Sequence, residues 1–252
     1  ETDKLYQDAI HRLESCIEKG SSGLHRVLAE IAGDFVAIPA DRSIRRPVVG
    51  IIGEIFMRDN AGCNGNISNR LEELGLEVLV GPFSEWIVYS THRFTRDSRW
   101  KNDKKGILKS KIQGIGQELI SRMLTRGIRK FTDHEKDVSL HDMLRLSNRY
   151  VSEFYDGDPP IALGTSVALA ERGVSGMAAI LPFTCMPGTL VASLSDSFRK
   201  DHNNIPFINI AYDGQDSVSL DTRLQAFAFQ VKEYAKSGQV VKKTLKTTPA
   251  AL

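Results

Sequence analysis

The sequence predicts an α/β fold: an open, mainly parallel sheet of about four strands, with helical additions at the N-terminus and in mid-chain. Short, uninterrupted apolar runs recur at four places, and each is followed by a stretch with helical periodicity. Such runs are typical of parallel strands that are covered on both faces. Their alternation with helices indicates one sheet with helices packed on each side.

The first strand–helix–strand unit is predicted between residues 47 and 82. An apolar strand over 48–52 precedes "NISNRLEELG", which is typical of a helix that starts at Asn66 or Ser68 as N-cap and stops at Gly75. "LEVLVGP" is the next strand. A right-handed crossover is expected to join the two strands.

The alternation resumes after residue 155. "PPIALGTSVALAERG" predicts a helix, "SGMAAILPF" a strand, "TLVASLSDSFRK" a helix and "IPFINIAYDG" the fourth strand. A long amphipathic helix, "SLDTRLQAFAFQVKEYAK", follows with Ser219 or Asp221 as its N-cap. In the flavodoxin-like strand order 2-1-3-4, the first and third strands are neighbours. Ligands tend to bind in the crevice at the carboxyl ends of such strands.

The organisation that we predict has three parts. Residues 1–45 form N-terminal helices, residues 46–235 form the α/β domain with a helical insertion at about 84–155, and residues 236–252 form a flexible tail. The chain begins without Met or a signal-like pattern, so we expect it to be a piece of a longer protein. The helices predicted in these additions span 4–19, 24–35, 84–92, 105–127 and 138–155.

The composition excludes several classes of protein. The 252 residues are 41% hydrophobic and 25% charged with a net charge of +2, which are ordinary values for a globular chain. No apolar run reaches about 18 residues, so we expect no membrane span. Three cysteines are too few for a disulfide framework and favour the cytoplasm. The sequence contains no CxxC or HExxH pattern, so we expect no self-contained zinc site.

A basic stretch covers residues 92–130, with twelve Lys or Arg against three Asp or Glu. It contains no nucleic-acid-binding motif, so we expect no nucleic-acid partner. A solvated helix face is the simplest interpretation. Docking of an acidic partner, or of a phosphate-bearing ligand such as coenzyme A, stays open.

Polar residues follow all four predicted strands, as in "GPFSEW" after the second. Because the carboxyl ends of parallel strands meet at one edge, we expect these side chains to converge in a ligand site. Glu54 ends a strand with Arg58 as its expected partner, either as a loop-anchoring ion pair or for acid–base chemistry. Arg223 either clamps an anion or lies on a helix surface. The candidate ligand-contacting residues are Glu54, Arg58, Asn60, Cys185, Asp213 and Gln215.

Cys185 lies between Pro182 and Pro187, directly before a predicted helix. Backbone N–H groups and the helix dipole favour a thiolate there, the form that attacks electrophiles and ligates iron. A functional thiol and a structural cysteine in a tight turn both remain open. We expect Cys16 to be a packed, inert thiol and Cys63, in a Gly- and Asn-rich loop, to be exposed.

Two stretches resemble a known family. "RPVVGIIGEIFMRDN" with "NRLEELGLEVLVGPFSEWI", and "AERGVSGMAAILPFTCMPGTLVA" with "IPFINIAYDGQ" and "TRLQAFAFQ", cover about 45–92 and 160–235. They resemble the region toward the C-terminus of predicted acyl-CoA dehydratase activase-related proteins, which are similar to 2-hydroxyglutaryl-CoA dehydratase subunits. The Phe-Thr-Cys-Met-Pro and Tyr-Asp-Gly-Gln pieces carry most of the resemblance.

The resemblance implies an accessory or electron-relay domain of an ATP-dependent activator of a 2-hydroxyacyl-CoA dehydratase. Cys185 matches the cysteine of that family and would be a metal ligand of an iron–sulfur cluster. A cubane cluster needs about four thiolates, so the cluster would be shared with another domain or chain. Glu54, Arg58, Asp213 and Gln215 match other motif positions. The implied partner is the ATPase portion of the same protein or a dehydratase subunit.

Alternatives to this function remain open at the level of sequence. No GxxxxGK[ST] motif and no complete catalytic site is found, so ATP hydrolysis is expected elsewhere. One alternative is a cluster-free nucleotide- or acyl-CoA-binding or interaction domain. Another is a thiol enzyme that uses Cys185, for which His92 and His202 are the nearest candidate bases. Assembly as a homodimer also stays open.

Overall fold

The computed structural model describes residues 1–39, 44–128, 138–214 and 218–238, so most of the expected tail and the candidate Gln215 lie outside the described residues. The strands are β1 Val48–Gly53, β2 Glu77–Val80, β3 Gly176–Pro182 and β4 Phe207–Tyr212. The helices are α1 Thr2–Glu18, α2 Leu24–Val36, α3 Ile55–Asp59, α4 Ile67–Glu73, α5 Ser84–Trp100, α6 Lys104–Ile128, α7 Leu140–Ser147, α8 Pro159–Glu171, α9 Met186–Asp201 and α10 Val218–Lys236.

The four strands form one parallel sheet in the order β2-β1-β3-β4. In its register Ile51 lies between Val80 of β2 and Ala178 of β3. The predicted α/β class, the number of strands and the flavodoxin-like order are therefore confirmed. Because β1 and β3 are central, their carboxyl ends lie side by side at the point where the order reverses.

Successive residues of β1 supply two different cores. Ile51 packs with residues of α4 and α10 on one face of the sheet, and Ile52 packs with residues of α8 and α9 on the other. Both side chains are fully buried. This explains why β1 is an uninterrupted apolar run: alternate side chains point to opposite faces, and both faces are covered. Each such side chain contributes about 1.5–3 kcal/mol through burial.

A glycine lets β1 pass into the following loop. Gly53 has φ +115°, and a Cβ there would lie 2.0 Å from the carbonyl oxygen of Ile180 on β3. Only glycine tolerates both this backbone region and this approach. The close contact places Glu54 directly beside the end of β3.

The chain divides into two compact units. The first comprises Glu1–Ile44 and Ser90–Asp137, and the second comprises Arg45–Tyr89 and Val138–Leu252 and contains the sheet. In the first unit, Arg12 of α1 donates to the carboxylates of Asp34 and Glu30 on α2, at 2.7 and 3.1 Å. α6 approaches α2 closely, since a Cβ at Gly127 would lie 2.5 Å from Ala29 Cβ.

Several helix bounds differ from the expected ones. α5 continues to Trp100, α7 ends at Ser147, and α9 begins at Met186 with Pro187 in its first turn. The predicted N-caps of α10 were wrong: the helix already begins at Val218, so Ser219 and Asp221 lie inside its first turn. Within the described parts of the chain, no helix has the length and hydropathy to cross a bilayer.

Candidate ligand site at the carboxyl edge of the sheet

Backbone hydrogen bonds tie the ends of the strands together. The N–H of Glu54 donates to Ile180 O at 2.9 Å, and the N–H of Phe183 donates to Tyr212 O at 2.8 Å. Gly81 N lies 3.4 Å from Ile51 O in a longer bond of the same kind. The loops after all four strands therefore start from one edge, as the sequence predicted.

Glu54 and Arg58 do not form the ion pair that we expected. Glu54 is the N-cap of α3, and its Oε2 accepts a hydrogen bond from Met57 N at 2.8 Å. Arg58 instead lies 3.7 Å from Glu85 of α5 and donates to Pro82 O at 3.2 Å. Two charges more than twenty residues apart in sequence can thus pair because β1 and β2 are neighbours.

The Arg58–Glu85 pair is almost wholly removed from water. The two side chains are 3% and 6% exposed, and Thr165 Oγ1 lies 3.4 Å from both carboxylate oxygens of Glu85. Gly81 makes room for the guanidinium, because a Cβ there would lie 2.9 Å from Arg58 Nη1. Burying two charges costs several kcal/mol each, which a close pair offsets only in part.

The Nε atom of Arg58 is buried without a hydrogen bond among the described residues. The carboxylate of Asp59 lies 3.7 Å away, within ion-pair range and beyond hydrogen-bond length. A buried donor without an acceptor costs roughly 1–3 kcal/mol. Such exceptions are characteristic of strained or functional positions.

Asp158 joins this group from a distant part of the chain. It precedes two prolines at the start of α8, and its side chain makes no capping hydrogen bond to that helix. Burial, with the negative charge of Glu54, raises the pKa of Asp158 to about 6, while Arg58 opposes the shift. A carboxyl group with this pKa can gain or lose a proton close to neutral pH.

Sequence reasoning missed Asp158. The available signal was "DPP", an acidic residue directly before prolines at a helix start, which places a carboxylate at the N-terminal end of a helix. Nothing in the sequence relates that position to Glu54, more than a hundred residues earlier.

A small pocket opens between these groups. The empty space at the pocket amounts to about 220 Å³, and this volume includes open solvent at its mouth. Its walls are mostly apolar, and Arg58 and Asp158 are the charged groups among the lining residues. The lining residues are Gly53, Ile55, Arg58, Trp86, Asp158, Ile161 and Ala162.

Cys185 lies at the same edge as the N-cap of α9 and is half-buried. Its N–H donates to Pro182 O at 3.1 Å, and Thr184 before it adopts a left-handed backbone with φ +65°. Pro187 packs beside the turn that carries Asp158, since a Cβ at Gly157 would lie 3.4 Å from Pro187 Cγ. The start of α9 and the Asp158 turn are therefore neighbours.

Asn60 has a structural contact within its own loop. Its Oδ1 accepts a hydrogen bond from the N–H of Cys63 at 3.2 Å, and Cys63 is exposed as expected. The buried Asn64, which the sequence did not single out, donates to Met57 O at 2.7 Å and accepts from Ile67 N at 3.3 Å. These bonds hold α3 against the start of α4.

The loop after β4 contributes Asp213, which is exposed. Arg223 of α10 donates to the carbonyl oxygen of Asn209 on β4 at 2.6 Å. This contact supports the interpretation of Arg223 as a residue of the helix surface, where it also covers part of the strand.

The thiols of the chain do not by themselves fit a whole iron–sulfur cluster. Cys185 is a half-buried thiol at the site and Cys63 an exposed one in the loop after β1, whereas a cubane needs about four. In the residues that the structure describes, no three His, Cys, Asp or Glu side chains come together as a group that could hold a metal ion. A cluster at Cys185 would therefore need further ligands from another domain or chain.

The chain was compared with protein-family models, curated proteins and solved structures, and none of them matches it.

Proposed function

We propose that the protein is an acyl-CoA-binding accessory domain of an ATP-dependent activator of a 2-hydroxyacyl-CoA dehydratase, acting in the cytoplasm. The family resemblance supports the assignment to an activator system. The observation that carries the binding function is the pocket at the carboxyl edge of the sheet, where Arg58 and Asp158 meet apolar walls. The proposal requires no iron–sulfur cluster within this chain.

The charges around the pocket favour the pantetheine arm of coenzyme A over its phosphates. Arg58 is already paired with the buried Glu85, and Glu54 and Asp158 add two more carboxyl groups nearby. A phosphate would meet an excess of negative charge. Amide N–H and hydroxyl groups, which the pantetheine arm carries, can donate to the carboxyl oxygens of Asp158, which lines the pocket.

The size of the pocket agrees with an arm rather than a whole ligand. Its empty volume of about 220 Å³ includes open solvent, so the pocket can enclose only a small part of such a ligand. Trp86 and Ile161 offer apolar surface for the methylene groups of such an arm. The nucleotide portion of the ligand would remain outside the pocket.

Ligand-dependent unfolding tests the proposal. A short-chain acyl-CoA and the matching acyl-pantetheine should both raise the free energy of unfolding, by about 2.7 kcal/mol at 100 times the dissociation constant. Asp158→Asn should weaken both ligands about tenfold, whereas Asp196→Asn, at an 81% exposed carboxylate on α9, should change neither. Stabilisation by ATP but not by acyl-pantetheine would show that the pocket is not the site.

A second candidate function is favoured by the position of Cys185. Cys185 is the N-cap residue of α9, and its half-buried thiol makes no capping hydrogen bond to that helix. The neighbouring Phe183 and Met186 are 64% and 67% exposed. We infer that such a thiol can supply one ligand of a cluster whose other ligands belong to a partner. An electron-relay domain would use it in that way.

Iron analysis separates the two candidates. Oxygen-free co-purification with a dehydratase subunit should yield iron and sulfide that Cys185→Ser removes and Cys16→Ser leaves in place. Cys16 is the matched control because it is half-buried in the other compact unit. Bound iron that is independent of Cys185 would exclude this second function without affecting acyl-CoA binding.

A further inference from the structure

The first half of α6 presents a polar side to its own unit and an apolar side to solvent. In this half the inward line is small or polar: Gly106 and Ser110 are buried, and Gln113 and Gln117 donate to Thr91 Oγ1 at 3.0 and 2.9 Å. A second line starts two residues later, at Leu108. Two residues correspond to roughly 200° around a helix, so this line lies on the opposite side.

The outward line is apolar over about four turns of the helix. We call it the α6 stripe. Each of its side chains is more than half exposed, whereas a surface helix normally turns its apolar stripe to the core. The α6 stripe consists of Leu108 (61%), Ile112 (63%), Ile115 (63%), Leu119 (61%) and Met123 (53%).

The spacing of the α6 stripe matches a helical partner. Leu108, Ile112, Ile115 and Leu119 follow one another at intervals of four, three and four residues. This alternation is the seam of a coiled coil, in which side chains of one helix insert between those of another. A contiguous apolar surface of this kind marks an interaction site.

The charges beside the α6 stripe determine the kind of partner. α6 contains six Lys or Arg and one acidic residue, Glu118, which already pairs with Arg122 at 2.5 Å. A second copy of α6 would bring two strongly basic helices together. An acidic helix would instead place carboxylates opposite residues such as Lys109 and Lys111.

We propose that the α6 stripe docks an acidic amphipathic helix of another polypeptide. The apolar side chains supply the seam, and the flanking lysines and arginines select the partner by charge and set its register. This function assigns a role to the basic stretch. It is independent of acyl-CoA binding, which uses the other compact unit.

A pair of designed peptides tests the proposal with the full chain. Both peptides are 28-residue heptad helices (about four heptads) with Leu at the seam; one carries Glu at the flanking positions and the other Lys. Fluorescence anisotropy should show binding of the acidic peptide only. Raising the salt from about 0.05 to 0.5 M should weaken it several-fold.

Matched variants locate the binding surface. Ile115→Gln with Leu119→Gln should raise the dissociation constant at least about tenfold, because two seam contacts are lost. Tyr6→Gln with Ile17→Gln changes two other exposed apolar residues, 55% and 57% exposed on α1, and should leave binding unchanged. All four side chains are exposed, so both variants should keep the helical circular-dichroism spectrum.

Four results would overturn the proposal. The first is failure of the acidic peptide to bind, and the second is equal binding of both peptides. The third is a dimer at micromolar concentration that Ile115→Gln with Leu119→Gln dissociates, which would assign the α6 stripe to a second copy. The fourth is binding to phosphatidylserine vesicles that the same variant abolishes. If a variant loses its helical spectrum, binding of the acidic and the basic peptide to the unaltered protein still tests the proposal.

Discussion

The guanidinium of Arg58 lies 3.7 Å from the carboxylate of Glu85, with both side chains almost completely buried. Arg58 also lines the pocket to which Asp158 contributes from the start of α8. A hydrophobic pair could fill the same space at lower cost, so a buried ion pair is weak evidence for stability. Its presence at the carboxyl edge of the sheet is more readily explained by the site than by the fold.

Removing one member of the pair should destabilise the protein strongly. We expect Arg58→Met or Glu85→Gln alone to lower the free energy of unfolding by about 3–5 kcal/mol, because each removes one member of a buried ion pair and leaves the other charge buried. Urea denaturation measures the loss. Glu118→Gln breaks the ion pair with Arg122, in which Arg122 is 69% and Glu118 60% exposed. This change should cost less than about 1 kcal/mol.

The double variant distinguishes this explanation from simple loss of packing. If the charges are coupled, Arg58→Met with Glu85→Gln should cost clearly less than the sum of the two single changes. Additive losses would mean that the two side chains stabilise the site independently, and the argument from an uncompensated charge would fail.

Asp158 should make stability depend on pH. Its pKa is raised to about 6 by burial and by the charge of Glu54, so between about pH 4 and 6 the folded state holds a proton that the unfolded state has released. Stability should therefore fall as the pH rises through this range. Asp158→Asn should remove this slope and be the more stable protein at pH 7, as measured by urea denaturation at several pH values.

The exposed Asp196 supplies the control for this experiment. Asp196→Asn should leave the pH dependence as in the unaltered protein, since its side chain is 81% exposed. A slope that persists in Asp158→Asn would show that another group titrates in this range.

The sheet could be predicted well from the sequence because strands buried on both faces are recognisable from a few consecutive residues. β1 and β3 are covered on both faces, so their residues are apolar without interruption and could be recognised from a few positions. The bounds of α6 were likewise within a residue of the expected ones. Helix starts were less accurate: α9 begins at Met186, because Pro187 is tolerated in a first helical turn where we expected a loop.

The site was predictable only in its outline. Parallel strands bring their ends together, so Glu54, Arg58 and Cys185 could be assigned to one edge. Which charges pair depends on side chains that meet in space alone. Glu85 and Asp158 come from two helices far apart in sequence, and no local pattern relates them to Arg58.

Two glycines in helix interiors should respond in opposite ways to the same substitution. A Cβ at Gly164 of α8 would lie 2.3 Å from the carbonyl oxygen of Met143, so Gly164→Ala should force α7 and α8 apart and cost several kcal/mol. A Cβ at Gly114 of α6 meets nothing within 4 Å. Gly114→Ala should therefore stabilise its unit by about 0.5–1 kcal/mol, as thermal unfolding can measure. Equal effects at the two positions would contradict the close approach of α7 and α8.

Arg223 should protect the open edge of the sheet. β4 is an edge strand, and Pro206 O and Tyr212 O accept hydrogen bonds from β3. Carbonyl groups alternate in direction along a strand, so Asn209 O points away from β3, where Arg223 donates to it at 2.6 Å. Removing this donor leaves an unpaired strand edge, which can pair with another chain.

Arg223→Met should therefore lower the free energy of unfolding by about 1 kcal/mol. It should also increase light scattering at high protein concentration, because an uncovered edge strand promotes self-association. Lys236→Met, at a 73% exposed lysine of the same helix that pairs with a 52% exposed glutamate, is the control and should change neither quantity appreciably. Arg223→Lys should restore solubility in part, since an ammonium group can still donate one hydrogen bond to the carbonyl. If Arg223→Met behaves like Lys236→Met, the edge of β4 does not depend on this contact.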